Sequence, residues 1–234
     1  MFPGLIQSLA LVAVVASAAE QVPAPNPALV AVFSRIDRAA ADFRGLTANI
    51  RRVTHTDFVN EDTVDIGTIR IRRVKPHDLR VLIDFTKPDP KTVAFQGKKA
   101  EIFYPRMNTV DEYDLGKYRD LVDQFLLLGF GSTSKDLQDA YNVRLVGPET
   151  VDGQKATEIE LTPKSKDVLQ QIKRFELWIS DSNGLPLQIK YYPSGQNILI
   201  TYSEIKVNPA DLREADLKLQ LPKGTKRVYP QKGS

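Results

Sequence analysis

Residues 67–85 read GTIRIRRVKPHDLRVLIDF, and their spacing predicts a strand, a proline-containing turn and a second strand. Ile69 and Ile71 point one way, while Thr68, Arg70 and Arg72 point the other. Beyond Lys75-Pro76-His77-Asp78 the alternation resumes with Leu79, Val81, Ile83 and Phe85 on one face. A two-residue period belongs to a sheet with one apolar face and one wetted face. Proline holds its predecessor extended and cannot donate to a ladder, so the bend falls at Lys75-Pro76. The hairpin is expected to form part of a hydrophobic concave wall, with Lys75 at its rim.

A chain of 234 residues, 42% hydrophobic and 26% charged, suits one all-β or α+β domain with an ordinary globular balance. Its net charge of +3 is only mildly basic, and the cations are scattered among acids, which argues against nucleic acid as a partner. Residues 1–19 have the form of a secretory signal peptide. An apolar run from Leu5 to Ala16 leads into the small residues Ala16-Ser17-Ala18-Ala19, although no Lys or Arg precedes the run. A membrane anchor is the competing reading, disfavoured by Glu20 and the prolines that follow so closely. The chain contains no cysteine. Export without disulfides fits a periplasmic protein stabilised by a packed core, and no thiol is available for acylation.

Residues 20–234 read as a single domain. Asn26 and Pro27 open a helix whose stripe is Leu29, Val32, Phe33, Ile36, Ala40 and Phe43, with Gly45 expected to end it. Leu46, Ala48 and Ile50 share one side of the next strand. Residues 91–95 and 100–104 form a hairpin about Gln96-Gly97-Lys98. The period then changes. Tyr118, Leu121, Val122, Phe125 and Leu126 fit a helix, and Ser134 is expected to cap a shorter one. These pieces suit either a lid or an ordinary buried helix pair. The remainder reads as strands, with a hairpin turn at Asp181-Ser182-Asn183-Gly184, Leu185, Leu187, Ile189 and Tyr191 on one face, and a last strand through Leu217, Leu219 and Leu221. The expected architecture is α+β: one strongly curved antiparallel sheet with a few helices on its concave side.

Catalytic patterns are sparse. His55 and His77 have no ligand or nucleophile partner at useful spacing, and neither a phosphate-binding Gly-rich loop nor Gly-x-Ser-x-Gly occurs. Arg70 and Arg72 read as the wet face of a strand, with no aromatic platform between them. Asp111, Glu112 and Asp114 suit a solvated edge better than a glycosidase pair. No metal or other cofactor is expected. The pattern points to a binder and not an enzyme.

Across nearly the whole mature chain the motifs resemble LolA-type periplasmic carriers of outer-membrane lipoproteins. The first helix ending in Asp42-Phe43-Arg44-Gly45, the Gly67–Leu79 hairpin, Gln96-Gly97-Lys98 through Phe103-Tyr104-Pro105, Ser134-Lys135-Asp136-Leu137 to Tyr141-Asn142-Val143, Leu161-Thr162-Pro163-Lys164, Phe175-Glu176-Leu177 and Leu219-Leu221-Pro222-Lys223-Gly224 follow that family's order. The resemblance implies an unclosed half β-barrel with an α-helical lid over a hydrophobic cavity. It also implies acylated lipoproteins as cargo, an inner-membrane ABC-type releasing complex as donor, and an outer-membrane acceptor. In such carriers an arginine before the hairpin proline latches the lid, and here Lys75, beside Pro76, holds that position with a point charge in place of a planar fork. Leu79 stands where the family has an aromatic residue. The candidate acyl-chain lining is Ile69, Ile71, Leu79, Val81, Ile83, Phe103, Phe125, Leu126, Phe175, Leu177, Leu187 and Ile189. The protein is expected to be a monomer, and a carrier of free lipids or glycolipids, or a partner-binding envelope-stress regulator of the same fold, is the alternative.

Overall fold

A computed structural model describes residues 26–75, 78–116, 122, 125–126 and 128–232. The expected signal peptide lies outside these residues, and so do Pro76 and most of the expected lid helix.

Helix α1 (Pro27–Ala41) starts where its sequence provides an N-cap. Asn26 accepts a hydrogen bond from the Ala28 amide at 3.0 Å, and Pro27 occupies the first turn, where no amide is needed. Val32, Ile36 and Ala40 are its buried stripe. The helix stops at Asp42, short of Gly45, which instead opens the first strand. A Cβ on Gly45 would stand 2.4 Å from the Ile71 carbonyl oxygen, so close strand approach and not helix termination requires that glycine.

Two antiparallel meanders share one twelve-stranded sheet. The first contains β1 (Gly45–Thr56), β2 (Glu61–Lys75), β3 (Asp78–Lys87), β4 (Lys91–Gln96), β5 (Lys99–Tyr104) and β6 (Thr109–Asp114). Helix α2 (Ser134–Ala140) then precedes β7 (Tyr141–Val151) and β8 (Gln154–Pro163). Helix α3 (Lys166–Gln171), β9 (Ile172–Ser180), β10 (Pro186–Pro193) and β11 (Gln196–Val207) follow. The meanders join where β11 pairs with β1, from Leu46 opposite Val207 to Thr56 opposite Gln196. A short last strand, β12 (Lys226–Val228), lies parallel to β6 and makes the sheet mixed. The sheet does not close: β7 and β12 are its two edges.

One face of this sheet carries the core. Leu46, Ala48 and Ile50 of β1 stand opposite Ile71, Ile69 and Gly67 of β2, and Val81 and Ile83 of β3 continue the same face. Against it pack Val32 and Ile36 of α1, together with Leu128, Phe130 and Leu137. Thr133, not Ser134, caps α2, in a reciprocal box with Asp136. Ser134 instead donates both its amide and its hydroxyl to Asp37 of α1, at 2.6 and 2.7 Å. The 181–184 turn presses on α1 from the other side. Arg35 pairs with Asp181 at 2.9 Å, and a Cβ on Gly184 would meet the Arg35 carbonyl oxygen at 2.3 Å.

The opposite face is not wet over β2–β4. Residues 209–219 cross it, with Leu212, Leu217 and Leu219 covering Leu82 and Ala94. Arg70 donates to the Asp216 carbonyl at 3.1 Å, Arg72 to the Leu212 carbonyl, and Gln96 to the Leu217 carbonyl at 2.6 Å. The two arginines expected in solvent therefore satisfy backbone oxygens that would otherwise be buried without donors. The leucines expected as a final strand form a 3-10 turn (Glu214–Leu217) and its extension. At the start of this segment Asn208 accepts from the amides of Arg44 and Gly45, at 2.7 and 3.1 Å, and donates to the Asp42 carbonyl at 2.7 Å. It thereby ties the end of β11 to the junction of α1 and β1.

Candidate functional site

Ten of the twelve expected lining residues fall in one apolar cluster on the core face: Ile69, Ile71, Leu79, Val81, Ile83, Phe125, Leu126, Phe175, Leu177 and Ile189. Most of them are fully packed. Ile83, Phe125 and Leu126 are half-buried, which leaves them surface to offer. Phe125 meets an aromatic group, with ring centroids 5.9 Å from Phe175 and 5.2 Å from Tyr191, while Tyr141 lies edge-on to Phe175 at 5.6 Å.

Two of the twelve lie on the other side of the sheet. Phe103 pairs with Thr92 and Val110, on the side that carries Ala94 and Leu82. The β4–β5 hairpin places Phe95 opposite Ala100, which puts Ile102 and Tyr104 on the core face and turns Phe103 away. Leu187 falls at a register irregularity between Pro186 and Gln188, and packs with Val151, Ala156 and Trp178 in a satellite cluster. That bulge breaks the parity linking Leu187 to Ile189.

Strand order assembles a wall of which the sequence reading named only Ile83. Ile83 of β3, Val93 and Phe95 of β4, Ile102 and Tyr104 of β5 and Tyr113 of β6 share the core face through successive registers, and all six are half-buried. Their neighbours on β1–β3 lie beneath α1 and the 128–137 segment, whereas these six keep apolar surface uncovered. A shallow, open depression of about 470 Å³ lies elsewhere, along Val30, Phe33 and Ala41 on the flank of α1 turned away from Val32 and Ile36.

Charge enters the core face at one end of the wall. Arg52 follows Ile50 on the same side of β1 and stands opposite Asp65 of β2. Its Nε donates to the Asp65 carboxylate at 3.0 Å, its Nη2 donates to the same oxygen, and Lys91 Nζ reaches the other oxygen at 3.0 Å. Arg52 lies over the Phe85 ring at 4.6 Å and Lys91 at 5.2 Å. Asp65 is only 5% exposed. Burial pushes its carboxyl up, but the hydrogen bonds and charges of Arg52 and Lys91 outweigh that effect and hold it below the usual carboxylate range.

Lys75 ends β2 opposite Asp78, and its side chain and Pro76 lie outside the described structure. Among the described residues of the hairpin, Arg73 reaches the segment that follows the expected lid. It donates to the Gly131 carbonyl at 2.9 Å and to that of Phe43 at 3.5 Å, and lies over the Phe43 ring at 5.6 Å. The sequence carried the signal, because of two adjacent arginines in a strand, Arg72 and Arg73, one must face the core side.

Tyr141 offers a pH test of how dry this aromatic group is. Burial pushes its phenol up to about 12. A phenol with an ordinary pKa near 10 in the unfolded chain then stabilises the fold fully below pH ~10, and that contribution is lost as pH rises toward 12. Tyr141→Phe is therefore expected to lessen the loss of stability between pH 10 and 12 by roughly 2–3 kcal/mol. Urea unfolding at stepped pH reads this out, and parallel curves for variant and wild type would show a hydrated hydroxyl.

Comparison with known proteins adds the fold's relatives. A family model described as an uncharacterized protein matches residues 128–214. No curated protein matches the chain by sequence. Among solved structures, an uncharacterized conserved protein from Thermus thermophilus superposes with a TM-score of 0.52 at 14% identity, over 86% of this chain and 99% of that one. The lipoprotein LppX of Mycobacterium tuberculosis matches with a TM-score of 0.47 at 17% identity, over 81% and 100%. A LolA superfamily protein from Nitrosomonas europaea matches with 0.40 at 14%, over 81% and 97%. The likeness is one of fold. The structural neighbours include the LolA-like group that the sequence motifs resemble.

Proposed function

We propose that the protein is a periplasmic carrier that shelters the acyl chains of a lipoprotein or lipid against its core face and moves them between membranes. The observation that carries this reading is the half-buried wall of Ile83, Val93, Phe95, Ile102, Tyr104 and Tyr113, which continues a packed core into uncovered apolar surface. Each acyl methylene placed there gains about 0.8 kcal/mol relative to water. A chain lying along an open wall keeps part of its surface wet, so retention and release stay balanced. On this reading residues 1–19 direct export, an inner-membrane ABC-type complex supplies the acylated cargo, and an outer-membrane acceptor receives it. The LolA-like order of the sequence motifs supports the assignment.

The test is native mass spectrometry of the protein recovered from the periplasm without detergent. An adduct with the mass of an acylated lipoprotein or a lipid is expected, and its mass identifies the cargo. An unliganded mass combined with no uptake of added acylated peptide or lipid would reject the carrier and favour a regulator that binds a protein partner.

A further inference from the structure

Two cations and one carboxylate meet at Phe85, and the imbalance stands at the edge of an apolar wall. Lys91 and Arg52 each reach Asp65, and among the described residues neither has a second carboxylate within ion-pair distance. Both lie over the same ring, and both are about a quarter exposed, Arg52 at 27% and Lys91 at 23%, while Asp65 is almost sealed. The cluster therefore holds one unneutralised positive charge, with donors still accessible, beside a surface that is mostly aromatic and aliphatic and carries the carboxylate of Asp111 opposite Ile102 at its far side. A cation so placed is costly to leave without a counter-charge and strengthens any charge-assisted hydrogen bond offered to it. The wall beside it runs across β3, β4, β5 and β6, which at ordinary strand spacing is about 15 Å wide. That breadth suits two hydrocarbon chains side by side.

From this geometry we infer that Arg52 and Lys91 form a headgroup site for a monoanionic diacyl phospholipid, whose chains lie on the Ile83–Val93–Phe95–Ile102 wall. The inference rests on the carrier reading and narrows its cargo. The phosphodiester carries the single negative charge that the cluster lacks, and its two non-bridging oxygens can accept from the guanidinium and the ammonium at once. Asp65 stays ionised between them and fixes the two donors in place.

The full-length mature chain is incubated with vesicles of equal parts phosphatidylglycerol and phosphatidylcholine with matched acyl chains, and bound lipid is quantified after separation. Wild type is expected to hold phosphatidylglycerol over phosphatidylcholine by about five- to tenfold. Lys91→Gln, which leaves the Arg52–Asp65 pair intact, is expected to reduce that ratio to about twofold or less. Arg52→Gln is expected to act likewise, with its fold verified by circular dichroism. Lys98→Gln removes the same charge from the exposed β4–β5 turn and is expected to keep the wild-type ratio. Equal uptake of both lipids by wild type, or an undiminished ratio in both site variants, would overturn the headgroup site and leave the carrier standing. Uptake of neither lipid would overturn the headgroup site, and the same incubation with an acylated peptide then tests the carrier separately: binding of the peptide keeps the carrier, and its failure removes that reading as well.

Discussion

Gly67→Ala is expected to unfold the protein or to destabilise it by more than about 3 kcal/mol. An ideal Cβ at this position stands 2.0 Å from the Asp84 carbonyl oxygen, 2.8 Å from its carbon and 2.9 Å from the Phe85 Cα. All three are backbone atoms of β3, so no rotamer change makes room. The β2–β3 ladder must part, at the point where its register already shifts between Ile66 and Gly67. The appropriate reference is Gly97→Ala in the β4–β5 turn, where a Cβ meets nothing within 4 Å and only the positive φ of 55° is strained. That variant is expected to cost about 1–2 kcal/mol. Urea unfolding compares them directly, with the Gly67 midpoint falling by roughly 1 M or more. Equal midpoints would mean that the two strands are not held at the described distance.

Phe175→Ala is expected to cost about 3–5 kcal/mol, the range for deleting a buried aromatic ring from a packed interior. Phe175 is 1% exposed and is surrounded by the rings of Phe125, Tyr141 and Tyr191. Phe175→Leu, which conserves more volume, is expected to lose less than half as much. Thermal and urea unfolding measure both. The outcome also separates two roles for this position. A truncation that costs less than about 1 kcal/mol would show that Phe175 borders a space already empty of protein, as a lining residue does, instead of filling a core.

Parity along single strands was legible in the sequence: it put eight of the ten strand candidates on the core face, and helical spacing brought Phe125 and Leu126 to the same packed cluster. What parity cannot supply is the relation between strands. Ile102 and not Phe103 joins Phe95, because the two-residue turn at Gly97 and Lys98 pairs Phe95 with Ala100. That deduction was available from turn length alone. Leu187 is harder, since Pro186 at the start of its strand is the one local hint of the bulge that displaces it, and a proline there reads equally as a plain strand start. The Arg52–Asp65–Lys91 cluster joins three strands, and no local window contains all three residues. Arg52 nevertheless follows Leu46, Ala48 and Ile50 in strict alternation, so an arginine on the apolar side could be seen before its partners could. The outer-face path of residues 209–219 was hidden for a different reason. Leucines spaced by two read as a strand whether they pair with a neighbour or simply lie across one, and Arg70 and Arg72 look solvated until the carbonyls they serve are placed.

The seam between β1 and β11 bears on how the molecule reaches this structure. The first strand of the fold to be made waits for one of the last, because β1 pairs with residues 196–207 as well as with β2, which follows it directly. Until that stretch arrives, the first six strands form a sheet whose β1 edge has open hydrogen-bonding groups, and the core face has only half its partners. Closing so distant a contact carries a large loop entropy before any burial repays it. Folding is therefore set to be slow and to finish only with nearly the whole chain present, a property that favours a polypeptide kept extended until its C-terminal third is free.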